Sequence, residues 1–191
     1  GKILAAKYAR KNKVPYLGIC LGLQIMTIEY ARHHLKDDSL NSEEFDENEE
    51  LGKDKHVIHF LPGQHKNKDK GATLRLGSYP CMVQKDTLAD KLYGKDMIIE
   101  RHRHRYEINN KFKQKLEGSD WVASGIYEEE GLVEIAELKN HPFMIGSQFH
   151  PEFLSRPHRP HPLFYGLIEA SAKAKNISTK QHATIPEHSS Q

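Results

Sequence analysis

A cysteine between two glycines is the strongest chemical signal in the sequence. Cys20 follows the short apolar run at residues 14–19 and lies between Gly18 and Gly22, at a predicted strand-to-helix turn. A nucleophile held on such a tight turn needs small neighbours, because the backbone folds back on itself. The helix N-terminus would lower the thiol pKa, and the backbone N–H of Leu21 would face a developing oxyanion. Taken alone, the pattern is equally typical of a buried cysteine between two loop glycines.

A histidine and a glutamate two residues apart form the second signal. His150 and Glu152 follow the apolar segment at residues 143–149. Residues at positions i and i+2 of an extended segment share a face, so both side chains could point at the Cys20 sulfur. His150 would then accept the thiol proton and return it to the leaving group, while Glu152 orients the imidazole. The alternative is a strand-ending His-Pro turn followed by a surface glutamate.

The elements that must position these residues alternate between helical and extended patterns. Helix, strand, Gly-rich turn and helix follow one another at the start of the chain, an order typical of an α/β fold with a parallel sheet. Residues 36–71 are rich in charge and predict a long surface excursion, and residues 176–191 predict a disordered tail after a domain at 1–175. The predicted helices are 2–11, 21–35 and 163–175, and the predicted strands are 14–19, 57–61, 72–76, 80–83, 97–100, 121–126, 132–138 and 143–149.

Length and charge exclude several classes of protein. The 191 residues suit one domain, and 28 basic and 26 acidic residues nearly cancel, which argues against a nucleic-acid or membrane-surface partner. No apolar run approaches the ~20 residues needed to span a bilayer, and no signal peptide is recognisable. Cys20 and Cys81 are the only cysteines and form no secreted disulfide framework. A cytoplasmic protein is therefore expected.

Seven motifs together resemble the class I glutamine amidotransferase domain of the CTP synthases. They span the chain to about residue 170 in the family's order, and the block at 100–107 is the most particular to that family. The resemblance implies a three-layer α/β fold with a mostly parallel sheet and helices on both faces. It also implies an N-terminal truncation, since the chain opens at Gly1 in a helical pattern. The motifs are PYLGICLGLQ (15–24), EYAR (29–32), NSEEF (41–45), TLRLG (73–77), ERHRHRYE (100–107), QFHPEF (148–153) and HPLF (161–164).

The resemblance assigns roles to individual residues. A glutamine substrate carries an α-ammonium and an α-carboxylate, which call for a carboxylate and a guanidinium in the site. Family register gives these roles to Glu44 and Arg105, with Glu43 as an adjacent alternative to Glu44. The resemblance implies Cys20, His150 and Glu152 as the catalytic residues and Leu21, Gln24, Glu44 and Arg105 as the glutamine-binding residues.

The resemblance further implies the reaction and its partners. Glutamine hydrolysis would deliver ammonia to a synthetase domain, absent here, that aminates UTP to CTP with ATP and Mg²⁺. The block at 101–105 would lie near that domain and influence activation by GTP, and the parent enzyme would be a homotetramer. No cofactor or metal is expected in this chain, since the prolines around His158 and His161 prevent a regular ligand-bearing element.

Two other functions remain open from the sequence. One is an amidotransferase or γ-glutamyl hydrolase of the same fold with another acceptor, and the other is a catalytically silent regulatory domain. The family's upstream Gly-rich loop, which supplies a second oxyanion-hole N–H, is also missing from the sequence. The chain alone is therefore expected to hydrolyse glutamine weakly.

Overall fold

The computed structural model describes residues 1–46, 50–60 and 75–175, and these residues form an α/β domain. The helices are α1 Lys2–Asn12, α2 Leu21–Leu35, α3 Leu88–Tyr93, α4 Asn110–Leu116 and α5 Pro162–Ala174. The strands are β1 Tyr16–Ile19, β2 Asn41–Ser42, β3 His56–Phe60, β4 Arg75–Val83, β5 Met97–His104, β6 Tyr106–Ile108, β7 Trp121–Tyr127, β8 Leu132–Leu138 and β9 Met144–Ser147.

The main sheet has six strands in the order β1-β9-β8-β7-β4-β5. Within the described residues only β1 and β9 pair in parallel, whereas β9-β8, β8-β7, β7-β4 and β4-β5 are antiparallel. The expectation of a mostly parallel sheet is therefore corrected to a mixed sheet. The apolar run of β8 suggested parallel pairing, but β8 is buried along its whole length because helices cover both faces of an antiparallel strand.

Helices pack on both faces of this sheet and create two hydrophobic cores. Side chains from α1, α2 and α4 fill one core, and side chains from α3 and α5 fill the other. Strand β9 contributes to both, because Met144 points into the first core and the next residue, Ile145, into the second. The three-layer arrangement expected from the sequence is thus observed, and a small second sheet of β2, β3 and β6 extends it beside α2.

Several elements differ from their sequence prediction. The predicted strands 72–76 and 80–83 are parts of one strand, β4, as far as residues 75–83 are described. The short elements α3, α4, β2 and β6 were not predicted, because each has fewer than eight residues and shows little periodicity. Part of the predicted excursion at 36–71 forms β2, a 3₁₀ turn at Glu43–Phe45 and β3.

Other predictions fall on residues that the structure does not describe. Residues 47–49, 61–74 and 176–191 lie outside the described part of the chain, so the tail and the domain boundary at 175 stay predictions. Among the described helices, none combines the length and the apolar composition that a membrane crossing requires.

Candidate active site

The turn between β1 and α2 holds Cys20 in a strained conformation. Cys20 has φ 51° and ψ −105°, a positive φ that residues other than glycine rarely adopt. Its backbone N–H donates to the carbonyl of Ser147 at 2.7 Å, which ties the turn to the end of β9. Strand, strained nucleophile and helix follow one another without a spacer, as the sequence predicts for a nucleophile elbow.

The two glycines of the elbow differ in how much space they have. A Cβ on Gly18 would lie 2.5 Å from the carbonyl carbon of Gly22 and 2.8 Å from the nitrogen of Leu23, so this position excludes a side chain. A Cβ on Gly22 would meet only the Tyr16 hydroxyl, at 3.8 Å, which is an ordinary contact. The expectation that both neighbours must be small therefore holds for Gly18 and is wrong for Gly22, where a Cβ has room.

The Cys20 sulfur is a half-buried thiol with two nearby amide donors. The backbone N–H of Leu21 bonds to the sulfur, and the side-chain Nε2 of Gln148 lies 3.7 Å from it. Burial nevertheless raises the thiol pKa to about 11, with smaller contributions from the charges of Glu107 and Glu152. The expected lowering of the pKa by the start of α2 is present as the Leu21 contact, but burial outweighs it.

His150 and Glu152 form a close pair after the end of β9. His150 Nδ1 lies 2.6 Å from Glu152 Oε1, although the pair sits at a 3₁₀ turn, Pro151–Phe153, rather than on an extended face. His150 Nε2 is buried and has no hydrogen-bond partner among the described residues, Cys20 included. The imidazole therefore keeps a nitrogen available for a proton, while the other nitrogen is held by the carboxylate.

A cavity of about 300 Å³ opens at the Cys20 turn. Such a volume suits a small molecule. The predicted glutamine-binding residues come together here from three separate parts of the chain: the start of α2, the 3₁₀ turn after β2, and the β5–β6 junction. The cavity is lined by Cys20, Leu21, Gln24, Glu44, Arg103, His104, Arg105 and Tyr106.

The two adjacent glutamates at the turn after β2 have different positions. Glu44 lines the cavity, and its backbone N–H donates to the Ser42 hydroxyl at 3.1 Å, which fixes the turn. The Glu43 carboxylate instead accepts the backbone N–H of Phe60 in β3, at 2.8 Å. Glu44 is therefore the glutamate available to a molecule in the cavity.

A chain of side-chain amides connects the cavity wall to the sulfur. Gln24 Nε2 donates to the carbonyl of Tyr106 at 3.0 Å and to Gln148 Oε1 at 3.1 Å, and Gln148 in turn approaches Cys20. Sequence reasoning assigned no role to Gln148, or to Arg103, His104 and Tyr106 in the cavity wall. The only sequence signal for Gln148 was its place directly after the apolar strand β9, which does not by itself assign a role.

Comparison with known proteins identifies the family to which this chain belongs. Residues 1–170 match the model of the class I glutamine amidotransferases. The chain belongs to this family. The match spans β1, the Cys20 elbow and the His150–Glu152 turn, so the class I amidotransferase fold expected from the sequence is confirmed, with a mixed rather than mostly parallel sheet.

Curated amidotransferase relatives carry the name CTP synthase. The chain is 52% identical to that of Dehalococcoides mccartyi over 173 residues, and 51% identical to that of Bacillus subtilis over 176 residues. These matches cover 91% and 92% of this chain but only 31% and 32% of the relatives. The chain thus corresponds to about a third of the length of those enzymes, as the resemblance to one amidotransferase domain predicts.

A solved glutaminase-domain structure is also similar. The glutaminase domain of Trypanosoma brucei CTPS, determined with bound acivicin, superposes with a TM-score of 0.80 at 33% identity, covering 90% of this chain and 65% of that one. A putative GMP synthase component from Thermoplasma acidophilum, with a TM-score of 0.53 at 17% identity, shares the fold; the match covers 91% of this chain and 65% of that one. Among these relatives, the CTPS domain is the one similar in both sequence and structure.

Proposed function

We propose that this chain is the glutaminase part of a CTP synthase, hydrolysing glutamine to supply ammonia for the ATP-dependent amination of UTP. The observation that carries the proposal is the cavity, which presents the strained Cys20 beside a carboxylate, Glu44, and a guanidinium, Arg105. The relatives named CTP synthase, about 50% identical to this chain, support the choice of acceptor.

The proposed substrate pose follows from the charges in the cavity. Glu44 binds the α-ammonium of glutamine and Arg105 binds its α-carboxylate, a pairing for which guanidinium geometry is well suited. The Leu21 N–H faces the amide oxygen, and Gln24 holds the wall through its bond to the Tyr106 carbonyl. The side-chain amide of the substrate then lies over the Cys20 sulfur.

The first half-reaction forms a thioester. Cys20 Sγ attacks the side-chain amide carbon while His150 accepts the thiol proton, and Glu152, at 2.6 Å from the other ring nitrogen, stabilises the imidazolium. The oxyanion receives the Leu21 N–H. His150 then protonates the amide nitrogen, the C–N bond breaks, and ammonia leaves.

The second half-reaction regenerates the thiol. Water attacks the thioester carbonyl, and His150 takes one of its protons. The C–S bond breaks, the sulfur regains the proton from His150, and glutamate is released. Neither step uses a metal or an organic cofactor, so we propose none for the glutaminase reaction.

The remaining parts of the proposal concern the whole enzyme. A synthetase domain preceding this chain binds UTP, ATP and Mg²⁺ and receives the ammonia. GTP acts as an allosteric activator, with the Arg101 to Arg105 block facing that domain. The parent enzyme is a cytoplasmic homotetramer. These statements follow from the resemblance to the CTP synthases, and the relatives of that name are about three times as long as the matched part.

The decisive experiment uses the full-length protein and compares nitrogen sources. Wild type should form CTP from UTP and ATP with either glutamine or ammonium. Cys20→Ala should lose glutamine-driven synthesis and keep ammonium-driven synthesis, whereas Cys81→Ala, which alters the other cysteine, should keep both. Undiminished glutamine use in Cys20→Ala would remove Cys20 as nucleophile. Glutamine hydrolysis without CTP formation would indicate another acceptor.

A labelling experiment tests the site directly. Acivicin, the compound bound in the T. brucei domain, should attach to wild type and leave Cys20→Ala unmodified, as measured by intact mass. Cys81 is completely buried in β4 and serves as an internal control thiol. Absence of labelling together with absence of glutamine hydrolysis would favour a silent regulatory domain.

A further inference from the structure

A buried cluster of charged and titratable side chains adjoins the Cys20 cavity, and one member, His104, is part of the cavity wall. Its members come from four strands and are at most 6% exposed: Arg75 of β4, His102 and His104 of β5, Glu107 of β6 and Glu134 of β8. Buried ionisable groups are costly unless each is matched by a partner. The proposed glutaminase mechanism uses none of these five side chains.

Glu107 connects this cluster to the cavity. Its Oε1 lies 3.4 Å from Arg75 Nη1 and 3.3 Å from His104 Nδ1. It directly follows Tyr106, and the four residues before it, 103–106, all line the cavity. Glu107 itself is completely buried, so its carboxyl can act on a bound molecule only through that wall.

Backbone pairing holds both sides of the wall: His104 pairs with Arg75 of β4 and Tyr106 with Phe60 of β3, so Arg105 stands at the bend between these two pairings. Gln24 Nε2 donates to the carbonyl of Tyr106 at 3.0 Å. Gln24 belongs to α2, whereas Arg75, which meets Glu107, belongs to β4. The Glu107 side chain links β6 back to β5 and β4 across the bend that carries Arg105, and loss of its contacts would remove this link.

We propose that Glu107 is a positioning residue for glutamine binding, which fixes the cavity wall through Arg75 and His104 and so holds Arg105 in place for the substrate carboxylate. This inference rests on the proposed function, since it assigns Arg105 to glutamine. Glu107 does not contact the substrate in this arrangement. Its removal should therefore act mainly on the Michaelis constant for glutamine.

The charges of the cluster imply that one carboxyl keeps its proton. Arg75 bonds to Glu134 as well as approaching Glu107, so two carboxyls share one guanidinium. The imidazoles add no charge, because burial lowers the pKa of His102 to about 2 and that of His104 to about 3. Burial raises the pKa of Glu134 to about 7 and that of Glu107 well above its usual value.

Two of the charged groups that face Glu107 raise its pKa and one lowers it. Glu134 on β8 and Glu130 in the β7–β8 turn raise its pKa, Arg75 on β4 lowers it, and the β5 imidazoles are neutral. Glu107 in turn raises the pKa of the Cys20 thiol when it is charged. A neutral amide at position 107 should therefore reproduce the working form of the acid.

A metal ion is a less suitable occupant of this cluster. His102, His104 and Glu134 offer three ligand atoms within 4.8 Å of one another. The Arg75 guanidinium, however, already bonds to Glu134 and is held between two tyrosine rings, at 4.2 and 4.5 Å from their centroids. A divalent cation would have to bind beside this fixed positive charge, so the structure assigns the cationic role to Arg75.

The test compares three variants of the full-length protein in a glutamate-release assay. Glu107→Ala should raise the KM for glutamine about 10- to 100-fold, the range expected when a charged hydrogen bond is lost, with a smaller change in kcat. Glu107→Gln should restore KM to within about threefold of wild type. Glu137→Gln is the matched control, a buried glutamate on β8 that instead caps α3 through Leu88 and Ala89.

The pattern of results separates this inference from the function on which it rests. An unchanged KM in Glu107→Ala, with wild type active, would overturn the positioning role alone. A fall in kcat at unchanged KM, or an equal KM increase in Glu137→Gln, would indicate general destabilisation and also overturn it. A wild type that neither hydrolyses glutamine nor binds it in calorimetry would overturn both the inference and the proposed function.

Discussion

The two glycines of the Cys20 elbow should respond oppositely to the same substitution. In Gly18→Ala the new Cβ would lie 2.5 and 2.6 Å from the carbonyl carbon and oxygen of Gly22. Normal carbon contacts need at least about 3.5 Å, so the backbone would have to separate by about 1 Å. In Gly22→Ala the nearest atom, the Tyr16 hydroxyl, is already 3.8 Å away.

The start of α2 has little freedom to relieve the Gly18→Ala contact. The Gly22 carbonyl accepts the Tyr16 hydroxyl at 2.9 Å, and the Leu23 N–H donates to the Cys20 carbonyl at 3.1 Å. Leu23 is completely buried and packs closely on Gly146 of β9. The cost should therefore reach the upper part of the overpacking range, about 3 kcal/mol, whereas alanine at position 22 gains up to about 1 kcal/mol of helix propensity.

Thermal and urea unfolding of the two variants measure this difference. For a domain of this size about 3 kcal/mol corresponds to a Tm roughly 6–12 °C lower, and about 1 kcal/mol to a Tm roughly 2–4 °C higher. Gly18→Ala should also lose glutaminase activity in the full-length protein, because the elbow no longer holds the sulfur. Equal midpoints for Gly18→Ala and Gly22→Ala, or a stable Gly18→Ala with wild-type activity, would refute the steric argument.

Three further predictions concern charge and protonation. Only the thiolate is alkylated, and burial raises the Cys20 pKa to about 11. The rate of Cys20 alkylation by iodoacetamide should therefore rise about tenfold per pH unit from pH 8 to 10. A plateau below pH 9 would contradict this. The folded protein binds the Glu134 proton more tightly than the unfolded chain, so Glu134 should contribute a fall of about 3 kcal/mol in the free energy of unfolding between pH 4.5 and 7, against the opposite contribution of the neutral His102 and His104. In urea titrations the free energy of unfolding of wild type should therefore fall by about 3 kcal/mol relative to that of Glu134→Gln over that range, and a constant difference would contradict this. Arg10 donates two hydrogen bonds of 2.7 Å to the Glu29 carboxylate. Arg10→Ala leaves this buried carboxylate without a partner and should lower the free energy of unfolding by about 2–3 kcal/mol. The double variant Arg10→Ala/Glu29→Ala should recover part of that loss.

The local features of the site could be predicted because they depend on neighbours in sequence. The elbow needs only a buried strand, a glycine at position 18 and a helix that starts at Leu21, all of which the pattern contains. The predicted limits of α2 and β8 agree with the structure residue for residue. The limits of such long elements can be predicted because burial of one face leaves a periodic pattern of apolar residues, and burial of both faces leaves a continuous apolar run.

The contacts between distant segments could not be predicted in the same way. The mixed sheet results from pairings that depend on which strands meet, and the apolar run of β8 is compatible with either direction. Gln148 and Glu107 were not assigned because their roles depend on partners 128 and 32 residues away, Cys20 and Arg75 respectively. Nothing in the residues adjacent to either one distinguishes a positioning residue from an ordinary buried polar side chain.

The carboxylates around Cys20 all affect the pKa of its thiol. The charges of Glu152 and Glu44 raise that pKa, as would a charged Glu107, so each charged carboxylate opposes formation of the thiolate before glutamine is bound. In the proposed pose the substrate ammonium neutralises Glu44, a protonated Glu107 contributes no charge, and the imidazolium of His150 faces Glu152 at 2.6 Å. Each neutralisation favours the thiolate, and the first of them occurs only when glutamine occupies the cavity. The arrangement therefore favours proton transfer from Cys20 to His150 in the substrate complex over the free chain, which would limit reaction of the thiol with other electrophiles.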